Sequence, residues 1–334
     1  MNYSKFPRRN YLQGPTPIES LPSLSKALGG GVNLYIKRDD LLPGSGGGNK
    51  TRKLEFCIAD ALDQGADAII TCGAVQSNHA RLTAAWSAKE GLDCHLILEE
   101  RVAGSYKTDA SGNNFLFELL DVKSIGVVPG GSDMMGEMGK KADALAAAGK
   151  KPYIVPGGAS NAIGATGYAV CAEETMTQLN DMRLEMDHIF VPSGSAGTHA
   201  GMVVGMIGVN GGIPISGVNV SRPKDVQEEI VYKLALETAE RLGVKNTVAR
   251  EDIVCFDQYV GPGYSLPTDA MVEAVKLFAK TEAILLDPVY SGKAAAGLVD
   301  LVRQGHFPKG SNVLFLHTGG SPALYAYMDT FRQS

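Results

Sequence analysis

The 334-residue chain has no apolar run long enough to cross a bilayer, no C-x-x-C pair and no excess of positive charge. The first absence argues against a transmembrane helix. The opening segment Met1 to Arg9 also lacks the apolar stretch of a signal peptide, so a soluble, cytoplasmic protein is expected. The five cysteines, Cys57, Cys72, Cys94, Cys171 and Cys255, are odd in number and far apart. Reduced, buried thiols are expected from that spacing, rather than a disulfide framework or a metal site. With 31 basic and 36 acidic side chains the formal net charge is −5, which gives no bulk attraction to nucleic acid or anionic lipid. There is no repeat of fixed period and no low-complexity linker.

What the chain does have is glycine, 40 residues gathered in clusters, within a composition that is 44% hydrophobic. Clustered glycine marks tight turns or backbone that comes close to a ligand. A rhythm runs through the chain: a β-branched run, a glycine-rich or polar loop, then an alanine-rich helical stretch. It is seen at Asp67–Cys72 followed by Ala80–Glu90, at Asp187–Pro192 followed by His199–Ile207, and at Asn312–His317 followed by Pro322 at a helix start. This alternation predicts an α/β protein with mostly parallel sheets covered by helices, ligands binding beyond the C-terminal strand ends. The length suits two lobes sharing a cleft. The boundaries expected are 54–160 for a small inserted lobe, and 1–53 with 161–334 for the large one.

Four segments can carry chemistry. Gly44 to Glu55 (GSGGGNKTRKLE) nearly matches a P-loop, but Asn49 replaces the glycine before the lysine and Lys37 to Pro43 interrupts the required strand. By itself Lys50 could equally be a solvated lysine on a surface turn. The loop Ser193 to Thr198 (SGSAGT) lies between a strand and a helix start, where free N–H groups and the helix dipole favour a phosphate. A tight packing turn would look the same. Gln76-Ser77-Asn78-His79 places four polar side chains at a strand's carboxyl end, enough to bind one carboxylate. Tyr264 and Tyr290 sit in loops beside glycine or proline, from which a phenol can reach a cleft or simply pack.

Taken together these segments resemble the pyridoxal-5'-phosphate (PLP) dependent family that contains 1-aminocyclopropane-1-carboxylate deaminase and D-cysteine desulfhydrase. The likeness runs from Pro15 to Gly320 and is strongest at Gly47–Glu55, Gln76–His79, Ser193–Gly201, Asp287–Lys293 and His317–Gly320. It implies a two-lobed fold of the tryptophan synthase β type, PLP as cofactor, a small amino-acid substrate and a homodimer. It implies that Lys50 carries PLP as a Schiff base and moves the substrate's α-proton. Lys53 and the loop Gly194, Ser195, Ala196, Gly197 and Thr198 would hold the phosphate, and Asn78 the 3'-oxygen. Gln76, Ser77, Asn78 and His79 would bind the substrate, with Ser77, Tyr264 and Tyr290 at the reacting face.

One departure from the deaminase guides the substrate. Its Tyr-Glu-Gly-Lys is Tyr290-Ser291-Gly292-Lys293 here, so a hydroxyl from Ser291 or Thr318 would meet the pyridine nitrogen and leave it neutral. That suffices to expel a good leaving group from Cβ but not to open a cyclopropane, and sulfur elimination is expected. Leu98–Arg101, Ser111–Phe117 and Val127–Ser132 look more like L-cysteate sulfo-lyases, releasing pyruvate, sulfite and ammonium, than D-cysteine desulfhydrases, the alternative. An inactive PLP-fold binding protein is the remote one. A sulfonate needs a further cation or donor, for which His79, Arg81 and Lys107 are the expected suppliers.

Overall fold

The computed structural model describes residues 1–245 and 248–332. The chain opens with β1 (Ile18–Ser20), α1 (Pro22–Ala27), β2 (Asn33–Lys37) and α2 (Lys50–Asp63). Next come β3 (Ala68–Ala74), α3 (Asn78–Glu90), β4 (Asp93–Glu100), α4 (Asn113–Leu119), β5 (Ser124–Pro129), α5 (Met134–Ala147) and β6 (Pro152–Val155). Then follow α6 (Ala162–Met182), β7 (His188–Ser193), α7 (Gly197–Gly208), β8 (Ile215–Asn219), α8 (Lys224–Leu242) and β9 (Val254–Phe256). The chain closes with α9 (Asp269–Glu282), α10 (Ser291–Arg303), β10 (Asn312–Leu316), α11 (Ser321–Leu324) and α12 (Met328–Arg332).

The strands form two sheets. One has the order β5-β4-β3-β6 and is wholly parallel. The other has the order β1-β2-β10-β7-β8-β9, parallel except for the antiparallel edge pair β1–β2. The first sheet draws only on residues 68–155, and the second on the chain to either side.

The continuous apolar strands are explained by burial on both faces. Alternate residues point to opposite sides, so Leu314, Leu316, Ile189 and Val191 pack with Tyr168, Val203 and Leu234 of α6, α7 and α8. Their neighbours Val313, Phe315 and Phe190 pack with Phe278 and Leu298 of α9 and α10. The smaller sheet repeats this pattern: Ile69 meets Leu54 and Ile58 of α2, while Ile70 meets Met138 of α5. Thus α2 begins beside the larger sheet and packs its apolar side on the smaller one.

A buried ionic cluster anchors α2. Arg52, 1% exposed, donates from Nε and Nη2 to the Asp39 carboxylate (2.9 Å each) and from Nη1 to Glu174 Oε2 (2.8 Å). Tyr168 (2.6 Å) and Thr16 (2.8 Å) donate their hydroxyls to Asp39, and Lys37 donates to Glu174 (2.5 Å). Burial alone would raise the Asp39 carboxyl, but the Arg52 charge and hydrogen bonds hold it below its ordinary range. Removing one partner from such a set leaves a buried charge uncompensated.

Two helices start earlier than the sequence rhythm suggests, at Lys50 and at Asn78. In the second case Ser77 is the N-cap, its Oγ accepting from Ala80 N (3.1 Å), and the helix ends at Gly91 with φ 72°. All five cysteines are free and buried. Among the described residues no helix is long and apolar enough to cross a membrane.

Candidate active site

Six strand ends aim at one region: β2 leads to the glycine run and Lys50, β3 to Gln76–His79, β4 to Arg101, β7 to Gly194–Thr198, β8 to Arg222 and β10 to Thr318–Gly320. The glycine run is folded back against the loop after β2. A Cβ at Gly47, whose φ is +70°, would lie 2.0 Å from the Asp40 carbonyl oxygen, so only glycine fits. Arg81 holds the run from the other side, Nη1 donating to the carbonyls of Ser45 (2.5 Å) and Gly47 (3.0 Å) and Nε to Asn113 Oδ1 (3.0 Å).

This loop delivers Lys50 as the first residue of α2. The side chain is 6% exposed and its Nζ has no hydrogen bond or ion pair among the described residues; it lies 4.8 Å from the centroid of the Tyr290 ring. Burial drives its pKa down to about 8, opposed by the Asp287 carboxylate and assisted by the Arg81 guanidinium. An amine so placed is a nucleophile near neutral pH.

One turn further along α2, Lys53 is buried, its Nζ donating to the Gly158 carbonyl (3.0 Å) and lying 3.4 Å from Ser160 Oγ. Burial and then the neighbouring Lys50 push its pKa well down. Above it runs the loop Gly194 to Thr198, where Ala196 takes the left-handed φ of 77°, a strained state for a residue with a Cβ. Gly197 N donates to Ser160 Oγ (3.1 Å), Ser160 Oγ to Ser195 Oγ (2.8 Å), and Asn49 Nδ2 to Thr198 Oγ1 (2.8 Å). A Cβ at Gly197 would sit 2.9 Å from Lys53 Nζ, which shows how closely amine and loop approach.

A small cavity is lined by Asn49, Lys50, Gly194, Ser195, Thr198, Tyr290 and Thr318. Lys50, Ser77, His79, Tyr264, Tyr290, Arg101 and Arg222 line an adjoining space of about 160 Å³. The Tyr264 and Tyr290 hydroxyls are 2.7 Å apart. Burial raises both phenols above their ordinary pKa, so each keeps its proton at neutral pH. Lys293, on the first turn of α10, donates to the carbonyls of Val260 and Gly263 (2.7 Å each), tying the Tyr264 loop to the helix that Tyr290 caps.

The remaining expected residues divide. Asn78 is buried, its Oδ1 accepting from Asn113 Nδ2 (2.8 Å); its Nδ2 would stand 2.5 Å from a Cβ on Gly320, φ +104°. Gln76 is occupied locally, donating to the Ser111 carbonyl (2.9 Å) and accepting from Asn113 N (2.8 Å), and with Lys107 it lines an outer cleft. Ser291 is not brought into either cavity lining. Its proton goes to Asp287 Oδ1 (2.7 Å) and its oxygen accepts from Asp287 N (2.8 Å), which leaves Thr318 as the hydroxyl on the inner wall. His79 cannot serve as a cation for a second anion: its Nε2 pairs with Thr71 Oγ1 (2.7 Å), while burial, then Lys50 and Lys53, keep the ring neutral. Arg81 braces the glycine run through Nη1 and Asn113 through Nε and lines neither cavity, its buried Nη2 having no hydrogen bond among the described residues.

Sequence reasoning missed three groups. Asp287, fully buried, accepts from the N–H groups of Val289, Tyr290 and Ser291 and is the carboxylate nearest in effect to Lys50. Arg101 and Arg222 follow the ends of β4 and β8, and attention to every strand end would have found them.

The pyridoxal-phosphate dependent enzyme family matches residues 10–319. The chain belongs to that family. It is 45% identical over 327 residues, 97% of each chain, to D-cysteine desulfhydrases of Salmonella typhimurium and Salmonella typhi. A solved structure described as an ACC deaminase homologue superposes with a TM-score of 0.88 at 37% identity, covering 99% of this chain and 97% of that one. A fungal L-serine ammonia-lyase from Rhizomucor miehei, 20% identical over 97% of this chain and 99% of its own, shares the fold with a TM-score of 0.65.

The family's cofactor is pyridoxal 5'-phosphate, and the residues present fit it. An unpaired buried amine suits an aldehyde. The α7 N-terminus, whose first N–H groups have no partner inside the helix, is joined by three hydroxyls and Lys53 and suits a phosphate.

Proposed function

We propose that the enzyme eliminates sulfur from Cβ of a small amino acid, leaving pyruvate and ammonium. The observation that carries the reading is the unpaired Lys50 amine facing a pair of protonated, mutually hydrogen-bonded phenols. Bound PLP supplies an electron sink for the pair left at the substrate's α-carbon. Lys50, Lys53, Asn78, Thr318 and the Gly194–Thr198 loop would hold it. Once free, Lys50 Nζ takes the α-proton. Ser77 Oγ, on the cavity wall, orients the substrate carboxylate. Tyr290, backed by Tyr264, hands a proton to the departing sulfur.

The 45%-identical relatives support D-cysteine as substrate better than the L-cysteate expected from segment likeness. L-cysteate is kept as a second reading because Arg101 and Arg222 border the reacting space. Incubation with each in parallel separates them: sulfide from D-cysteine favours the first, sulfite from L-cysteate the second. Absence of pyruvate from both refutes the proposal. We further propose a cytoplasmic homodimer with lobes 54–160 and 1–53 with 161–334, the boundary falling inside α2; sedimentation in solution tests the dimer.

A further inference from the structure

Arg101 and Arg222 come from different sheets, just past β4 and β8, yet share one cavity wall with Lys50, Tyr264 and Tyr290. Arg101 lies over the Tyr264 ring, its guanidinium carbon 4.1 Å from the centroid, and donates from Nε to Glu99 Oε2 (2.5 Å). Glu99 is fully engaged, since its other oxygen accepts from Gly131 N (2.9 Å). Arg222 Nη1 donates to the Gly194 carbonyl (2.7 Å) and lies 3.3 Å from Gln227 Oε1. That leaves both Nη groups of Arg101, and Nε and Nη2 of Arg222, with no protein hydrogen bond among the described residues.

Glu99 lines the same space, pairs with Arg101 and acts on Arg222 by its charge, so two guanidiniums face one carboxylate and the wall stays net positive. Burial and then the Arg101 charge lower the proton affinity of Arg222. A net positive wall with unused N–H donors takes a further anion, and planar N–H forks match oxyanions best.

We infer that Arg101 and Arg222 form a subsite for an oxyanion carried on Cβ of the substrate, a sulfonate being the group that fits a carbon–sulfur lyase. The inference rests on the second reading above, elimination from L-cysteate, and assigns the pocket of that leaving group. A sulfonate offers three acceptor oxygens to the four free donor groups, and a thiol offers one weak acceptor. The two arginines are therefore specificity-determining residues, in the role for which His79, Arg81 and Lys107 were expected.

The test uses holoenzyme and two probes that lack an amine and cannot react, 3-sulfopropanoate and 3-mercaptopropanoate, titrated calorimetrically. Both carry the carboxylate, so only the sulfur group differs. The wild type should bind the sulfonate at least about tenfold more tightly, the worth of one charge-assisted hydrogen bond. Arg101→Met and Arg222→Met should each weaken the sulfonate about tenfold and leave the thiol within about twofold. Equal wild-type affinities overturn the inference. So does a matching loss of both probes in both variants, which would assign the arginines to the carboxylate or to holding the loop. Elimination from either sulfur amino acid, measured on the same wild-type preparation, reports on the proposed function separately.

Discussion

Replacing Lys50 with methionine should abolish activity in the presence of PLP and make the cofactor-free protein more stable. The amine is buried without an ion pair, and its pKa falls from 10.5 to about 8. At about 1.4 kcal/mol per tenfold, that fall corresponds to about 3 kcal/mol by which the charged amine disfavours the folded state. Methionine keeps the aliphatic stem and removes the charge. The sign follows from proton binding. Below pH 8 the amine is charged in both states and the full cost is present. Between pH 8 and 10.5 the folded protein sheds the proton while the unfolded chain keeps it, so wild-type stability rises with pH. Above 10.5 the difference is gone. Urea unfolding of cofactor-free wild type and Lys50→Met at pH 7, 8.5 and 10 measures it. The variant should lead by about 3 kcal/mol at pH 7, with the gap closing toward pH 10. A variant less stable than wild type at pH 7, or a gap indifferent to pH, would refute the reasoning.

Three further outcomes follow from the geometry. Asp39→Asn removes the fully buried one of the two carboxylates paired with Arg52 and should lower unfolding free energy by about 3 kcal/mol in urea titration. Gly47→Ala forces a Cβ against the Asp40 carbonyl at positive φ and should cost about 2 kcal/mol or more, with faster cofactor loss seen in visible absorbance. Tyr290→Phe leaves Tyr264 without its phenolic partner and should reduce pyruvate formation about 10²-fold with little change in melting temperature.

Much of this was written locally in the chain. The strand–loop–helix rhythm at Ala68–Glu90, His188–Gly208 and Asn312–Leu324 is a matter of residue type and capping, and it announced both the parallel sheets and the loops at their ends. Lys50 was legible because four glycines crowd the six residues before it. What sequence could not show depends on contacts and burial that exist only in the folded chain. Ser291 looked like a free hydroxyl until Asp287, four residues earlier, closed on it. His79 could have been a cation, but burial beside Lys50 and Lys53 makes it neutral. Arg81 and Arg101 are alike as letters; one is buried bracing the glycine run outside both cavities, and the other lines the reacting space because β4 ends at the cleft.

The Lys293 staple has a mechanical meaning. Its two bonds to Val260 and Gly263 join the strap bearing one phenol to the helix bearing the other, so the tyrosines form a single jaw of constant gape. Lys50 opens α2 just before Thr51 and Arg52, and the Arg52–Asp39–Glu174 cluster ties that turn to the larger sheet, the same body that carries both phenols. Amine and phenols therefore keep their spacing, and what a rocking of the smaller sheet would move against them is Ser77 and Arg101.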